Sequence, residues 1–204
     1  MKYLFDWNGT IADDAGRACN ATNAALRLVG LPEISPDLFD RTFLLPMDEM
    51  FLRLGVGAGD VAAAIAEWNA AMAAHAAPLR TGAAGFLADL AAAGEACAVI
   101  SAAGPDYLLA ELRSFDMEER FGAVVTEAAD KAQVLAELRD GGEALYFGDT
   151  EYDMRCAAEA GCVPVGVLSG YCPEERLVEA GAELVVRDFN EFRSTALGRR
   201  LLPA

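Results

Sequence analysis

Residues 1–14 read MKYLFDWNGTIADD, and the fold follows from how this stretch is parsed. A short apolar run, Tyr3-Leu4-Phe5, stops on the carboxylate of Asp6 and passes at once into the turn Asn8-Gly9-Thr10. A short apolar run closed by a turn signal reads as a strand buried on both faces of a sheet. Packing gives such a strand no reason to end on a carboxylate. In an open parallel sheet, however, ligands gather beyond the carboxyl ends of the strands. Asp6 is therefore the first candidate for a functional site.

Working outward, the same pattern recurs. Strands are expected at Tyr3–Phe5, Ala96–Ile100, Ala123–Thr126, Ala144–Phe147, Pro164–Leu168 and Glu183–Val186. Helices of ordinary length fall between the later ones, at Pro105–Phe115, Lys131–Arg139 and Asp153–Ala160. This alternation predicts an α/β fold, a Rossmann-like parallel sheet with helices on both faces. The first gap is too long for one crossover, and residues 13–80 read as helical throughout. Helices are expected at Ala15–Leu28, near Asp48–Leu54, and in GDVAAAIAEWNAAMAAHAA, where Val61, Ile65, Trp68, Met72 and His75 share one face. The expected organisation is a core of residues 1–12 and 81–204 carrying an all-helical cap domain of residues 13–80.

Composition narrows the function classes. Hydrophobic residues make up 54% of the 204, which suits a globular protein, and the net charge is −16. Such an acidic surface repels nucleic acid and anionic membranes. No apolar stretch has the length of a membrane span, and Asp6 interrupts what would otherwise resemble the start of a signal peptide. The expectation is a cytoplasmic protein, monomeric or dimeric through its cap. Five cysteines without a C-x-x-C pair fit reduced thiols and argue against a structural zinc site.

The residues just past the strands carry the chemistry. They are Asp6 and Asn8 after the first, Ser101 after the second, Lys131 after the third, and Asp149 and Asp153 after the fourth. Carboxylates from separate loops suit Mg²⁺, which takes oxygen ligands. A hydroxyl and an ammonium can hold the oxygens of a transferring phosphoryl group, and one carboxylate can attack phosphorus. Each residue also has a plainer reading. Asp149 and Asp153 would serve to cap a helix, Ser101 to turn a loop, and Lys131 to sit on a helix surface. His75, Trp68 and Met72 read as packing, Arg41 as an exposed arginine in a salt bridge, and Glu151 as solvated.

Taken in order, these residues resemble the four motifs of the haloacid dehalogenase superfamily. Asp6-Trp7-Asn8-Gly9-Thr10 matches D-x-D-x-T with one departure, Ser101 and Lys131 match the second and third motifs, and Gly148-Asp149-Thr150-Glu151-Tyr152-Asp153 matches G-D-x-x-x-D. The cap position is similar to that of the phosphoglycolate-phosphatase branch. The resemblance implies a Mg²⁺-dependent phosphatase acting on a small phosphorylated metabolite through an aspartyl phosphate. It implies Asp6 as nucleophile and ligand, the Asn8 carbonyl and Asp149 as further ligands, and Asp153 as a ligand or an orienter of metal-bound water. Ser101 and Lys131 would bind the phosphoryl group, and Thr10 would support the loop.

Asn8 is the departure. Family phosphatases place an acid there that protonates the leaving group and then activates water, and asparagine can do neither. Its backbone carbonyl is unchanged, so metal binding should survive. General acid–base help is worth about 10²–10⁴-fold, so hydrolysis should be slowed. Three readings stand open. The substrate has a good leaving group, or water, Asp13 or Asp14 relays the proton. Alternatively, the chain is a weak or inactive phosphatase that binds a phosphorylated ligand or a protein partner. Or it runs different chemistry, which the lack of a cap lysine and the presence of the acidic cluster disfavour.

Overall fold

A computed structural model describes residues 1–74, 76–128, 130–169 and 171–201. The first strand, β1 (Lys2–Phe5), is followed by four helices, α1 (Ala15–Leu28), α2 (Pro36–Thr42), α3 (Met47–Arg53) and α4 (Val61–Ala73). Then come α5 (Ala83–Ala92), β2 (Ala96–Ile100), α6 (Pro105–Ser114), β3 (Ala123–Val125), α7 (Lys131–Arg139) and β4 (Ala144–Gly148). The chain continues through α8 (Glu151–Glu159), β5 (Val163–Val167), α9 (Glu174–Glu179), β6 (Leu184–Val186), α10 (Phe189–Ser194) and α11 (Ala196–Leu201). All six expected strands are present, each within a residue or two of its expected ends.

The strands form one parallel sheet in the order β3-β2-β1-β4-β5-β6. Winding reverses at β1, because the chain runs outward through β2 and β3 and then returns to place β4 on β1's other edge. That reversal opens a crevice at the carboxyl ends of β1 and β4, the switch point where ligands bind in such sheets. Register brings Phe5 beside Phe147, so Asp6 and Gly148 leave the sheet at the same level.

Both faces of the sheet are covered. One carries Phe5, Phe86, Phe147, Phe189 and Phe192, with Phe5 stacked on Phe147 at 5.0 Å and Phe192 edge-on to Phe147 at 4.9 Å. The other packs Leu4, Ile100 and Tyr146 against Leu135, Cys156 and Ala157 of α7 and α8. Helices α1–α4 enclose their own apolar cluster, built on Phe39, Met50, Phe51 and Met72. Tyr171, from the loop after β5, joins that cluster from the sheet side.

Some expectations need adjustment. Helix α2 falls in the expected helical segment but is not among the helices given bounds there, although Ser35-Pro36 is a regular start: the Ser35 side chain accepts from the Leu38 N–H, and proline stands at the first position. Helix α8 begins at Glu151, not Asp153, because Thr150 is its N-cap. Trp68 is only half-buried and faces a cavity. His75 and the last three residues lie outside the described residues. All five cysteines are free and buried, and no helix among the described residues is long and apolar enough to cross a membrane.

Candidate functional site

Every residue singled out after a strand converges on the crevice. The turn after β1 is held by the Trp7 carbonyl, which accepts from the N–H groups of Thr10, Ile11 and Ala12 at 3.2, 2.9 and 2.9 Å. Gly9 sits in this turn at φ 71°, and a Cβ there would stand 2.1 Å from Asp149 Oδ2. Only glycine combines that backbone conformation with so close an approach. Gly148 is needed for the same spatial reason, since its Cβ would lie 2.4 Å from Cβ of Asp153.

Asp6, Asp149 and Asp153 are all buried, and one carboxylate oxygen from each lies within 4.8 Å of the others. Lys131, 2% exposed, bridges two of them, with Nζ 2.8 Å from Asp6 Oδ1 and 2.7 Å from Asp153 Oδ1. The plain reading of Lys131 as a surface lysine is thus excluded. Burial pushes its ammonium down, but Asp153 and Asp6 outweigh that and hold it well above its ordinary value. Burial also raises the Asp6 carboxyl to about 7, with Lys131 opposing and Asp153 adding to the rise. Asp149 is held well above the usual carboxylate range by burial and by the Asp6 and Asp153 charges, with Ser169 opposing. Three buried carboxyls against one ammonium make a site whose fully ionised form carries an excess of negative charge, all on hard oxygen donors.

The carboxylates are not equivalent. Asp149 accepts from Thr10 Oγ1 at 3.3 Å and Ser169 Oγ at 2.8 Å. Asp153 accepts from Lys131, from the Tyr146 hydroxyl at 2.9 Å, and from both the N–H and the hydroxyl of Thr150. It stands at the third position of α8 and completes a reciprocal capping box with Thr150. The plain reading of Asp153 as a capping acid therefore holds alongside its place in the acidic cluster. Its burial is outweighed by these partners, Lys131 above all, which hold its carboxyl below the usual range.

Asn8 and Ser101 complete the wall. Ser101 is buried, and its Oγ accepts from the Ala103 N–H at 3.1 Å while facing the cavity. Asn8 Nδ2 donates to Asp14 Oδ2 at 2.6 Å and to the Tyr107 hydroxyl at 3.0 Å. Asp14, 1% exposed, further accepts from the Gly9 N–H, Arg17 and the Tyr171 hydroxyl. Behind it, Glu111 accepts from Trp7 Nε1 at 2.6 Å, Arg17 Nη1 at 2.7 Å and the Ala77 N–H at 3.3 Å. Asp13 instead points outward to Arg80, whose guanidinium also donates to the carbonyls of Gly9 and Leu168.

The cavity over these groups has a volume of about 630 Å³. Its floor includes Asp6, Asn8, Ser101, Lys131 and Asp149, and its roof comes from α2–α4 and their loops. Arg41 is exposed as expected and does not line it, but no carboxylate among the described residues stands within ion-pair distance of it. Glu151 is not the solvated residue expected, because it pairs with Arg176. Sequence reasoning also missed Tyr107, Ser169 and Tyr171. Ser169 follows β5 as Ser101 follows β2, so the rule that found one would have found the other.

Residues 3–167 match the family of haloacid dehalogenase-like hydrolases, and the chain belongs to it. Among solved structures it is similar to a predicted phosphatase from Clostridium acetobutylicum, with TM-score 0.82, 20% identity, and 100% and 98% of the two chains covered. It is also similar to a predicted phosphoglycolate phosphatase from Haemophilus somnus, with TM-score 0.77, 19% identity, and 93% and 95% covered. At these identities the likeness establishes the fold. A curated relative from Mycobacterium tuberculosis, named tyrosine-protein kinase PtkA, is 29% identical over 181 residues, or 82% of this chain. The chain spans 62% of the length of that relative.

Proposed function

We propose that the chain is a Mg²⁺-dependent phosphatase that hydrolyses a small phosphorylated molecule through a phosphoaspartate on Asp6. The observation that carries this is the buried cluster of Asp6, Asp149 and Asp153 bridged by one lysine. An excess of buried negative charge on oxygen donors fits a hard divalent cation. Asp6, the Asn8 carbonyl and Asp149 would hold the metal. Among the described residues no backbone N–H is turned to that carbonyl, which suits the role. Asp153, already saturated by protein donors, fits the orienting role better than direct ligation. Mg²⁺ bound there supplies positive charge that makes the phosphoryl group easier to attack.

Lys131 holds Asp6 through Oδ1, which leaves the other oxygen outside that ion pair to make the attack. As the new Asp6–phosphorus bond forms, the bond to the leaving oxygen breaks. Ser101 and the third N–H of Lys131 stabilise the equatorial oxygens. Water then attacks phosphorus, the Asp6 carboxylate is restored and phosphate departs. With Asn8 in place no side chain two residues on takes the water's proton, so this second step is slow. The helical segment above the cavity acts as the cap that excludes bulk water.

Phosphate release from acetyl phosphate, with Mg²⁺ and with chelator, tests this. Release is expected with Mg²⁺ only and is abolished in Asp6→Asn; release that ignores both would refute it. The relative named as a kinase favours a second reading, in which the phosphoryl group passes between Asp6 and an acceptor hydroxyl rather than to water. A site that activates water poorly suits that use as well.

A further inference from the structure

Resting on the phosphoryl chemistry proposed above, we infer that the site is built for aryl phosphates, in which a phenolic oxygen carries the phosphoryl group. Sugar phosphates and phosphorylated acids are disfavoured. Two independent features carry the inference.

The first is the direction of the hydrogen bonds beside Asp6. Both hydrogens of the Asn8 amide are used, on Asp14 and Tyr107. The neighbours fit this orientation, because both Asp14 oxygens are already occupied by donors, the Gly9 N–H, Arg17 and the Tyr171 hydroxyl beside Asn8 itself. Tyr107 receives from Asn8 and Arg17 and has Glu111 as its own acceptor. The donors of Asn8, Tyr107 and Tyr171 are therefore spent on protein acceptors, and the side-chain oxygen is what Asn8 has left to offer the cavity it lines. A leaving oxygen arriving here meets an acceptor, not an acid. An alkoxide leaves poorly without a proton, since its parent alcohol is about as weak an acid as water. A phenol ionises at about pH 10, so phenolate departs far more readily.

The second feature is the roof of the cavity, where Phe43, Leu45, Met47, Trp68 and Met72 present apolar surface. Among the described residues Lys131 is the one basic side chain lining the cavity, while the acidic Asp106 and Glu127 stand at it. A second phosphate or a carboxylate would lose its hydration against apolar surface and face like charges. A flat aromatic ring instead finds an aromatic and aliphatic surface to pack on.

In the reaction an Asp6 oxygen bonds to phosphorus and the phosphorus–aryl oxygen bond breaks. Its electron pair leaves as phenolate, which takes a proton from solvent water. Water then cleaves the phosphoaspartate to phosphate and the Asp6 carboxylate.

The test compares kcat/KM in Mg²⁺ for phenyl phosphate, benzyl phosphate and phosphoglycolate, in the wild type and in Asn8→Asp. Phenyl and benzyl phosphate share the ring and differ in the leaving oxygen. The wild type should favour phenyl phosphate by roughly 10²-fold or more and turn over phosphoglycolate least. In Asn8→Asp the phenyl-to-benzyl ratio should fall at least about tenfold, because the new acid helps the poorer leaving group more. An unchanged ratio, or phosphoglycolate as the better substrate, overturns the inference. Phosphorylation of Asp6 by acetyl phosphate, which needs no acid, is scored in parallel. If the adduct forms without an aryl preference, this inference alone fails. If there is no adduct and no turnover of any compound, the phosphatase reading fails and takes this inference with it.

Discussion

Lys131 shows how much one side chain carries. Its ammonium lies between Asp6 and Asp153 at the buried floor of the cavity, so removing it leaves two buried carboxylates facing each other. Lys131→Met should lower stability by roughly 3–5 kcal/mol at neutral pH, the usual penalty for stripping one partner from a buried ion pair. Acidification should narrow the gap. Carboxyls whose folded pKa lies above the unfolded value bind more protons in the native state, so their destabilising effect fades as pH falls towards about 4. Asp149 predicts the opposite sign. Its carboxyl is raised by burial and by Asp6, so Asp149→Asn should stabilise the metal-free protein by roughly 1–2 kcal/mol, while the Mg²⁺-dependent stabilisation that the proposed site predicts for the wild type should be lost. Thermal unfolding with chelator and with Mg²⁺, at several pH values, reads both. A Lys131→Met variant as stable as the wild type at neutral pH would contradict the electrostatic account.

At the scale of elements, the turn after β1, the first turn of α1 and helix α6 are tied by one buried network. Glu111 of α6 accepts from Trp7, Arg17 and Ala77, which lie on the two chain crossings between the sheet and the helical segment and on α1 itself. Glu111→Ala leaves an indole N–H and a backbone N–H buried without that acceptor, and a loss of roughly 3–5 kcal/mol is expected by chemical denaturation. It should also raise KM for any phosphorylated substrate, because Tyr107 and Asn8 lose their support. A loss within about 0.5 kcal/mol, the scale of an ordinary surface change, would show that the network does not set the geometry.

This network also marks the limit of what the sequence disclosed. Residues immediately past a strand were legible because strand ends are local signals, and so Asp6, Asn8, Ser101, Lys131, Asp149 and Asp153 could be named. Tyr107, Glu111 and Arg17 lie inside helices, where periodicity reveals a buried face but not its polar partner. Asp153 was legible as an acid near a helix start, yet its saturation by Tyr146 depends on the pleat of β4 bringing a strand tyrosine beneath it. Helices α2, α5, α9 and α10 went unassigned because their short or alanine-rich sequences show little contrast between faces. The parallel sheet was legible throughout, since each apolar run was short and bounded by turns.

Over the whole molecule, one pattern joins the levels. The reversal of winding at β1 makes the crevice, glycines at positions 9 and 148 let the acidic loops close on one another, and the helical segment roofs the result. In the proposed mechanism Asp6 carries the phosphoryl group and Asn8 delays its release. The most direct test is the intact mass of the protein followed over time after mixing with acetyl phosphate and Mg²⁺. The wild type should gain one phosphoryl group and lose it slowly, Asn8→Asp should lose it at least tens-fold faster, and Asp6→Asn should gain none. A phosphoryl adduct that survives in Asp6→Asn, or one that decays equally fast with Asn or Asp at position 8, would contradict the account.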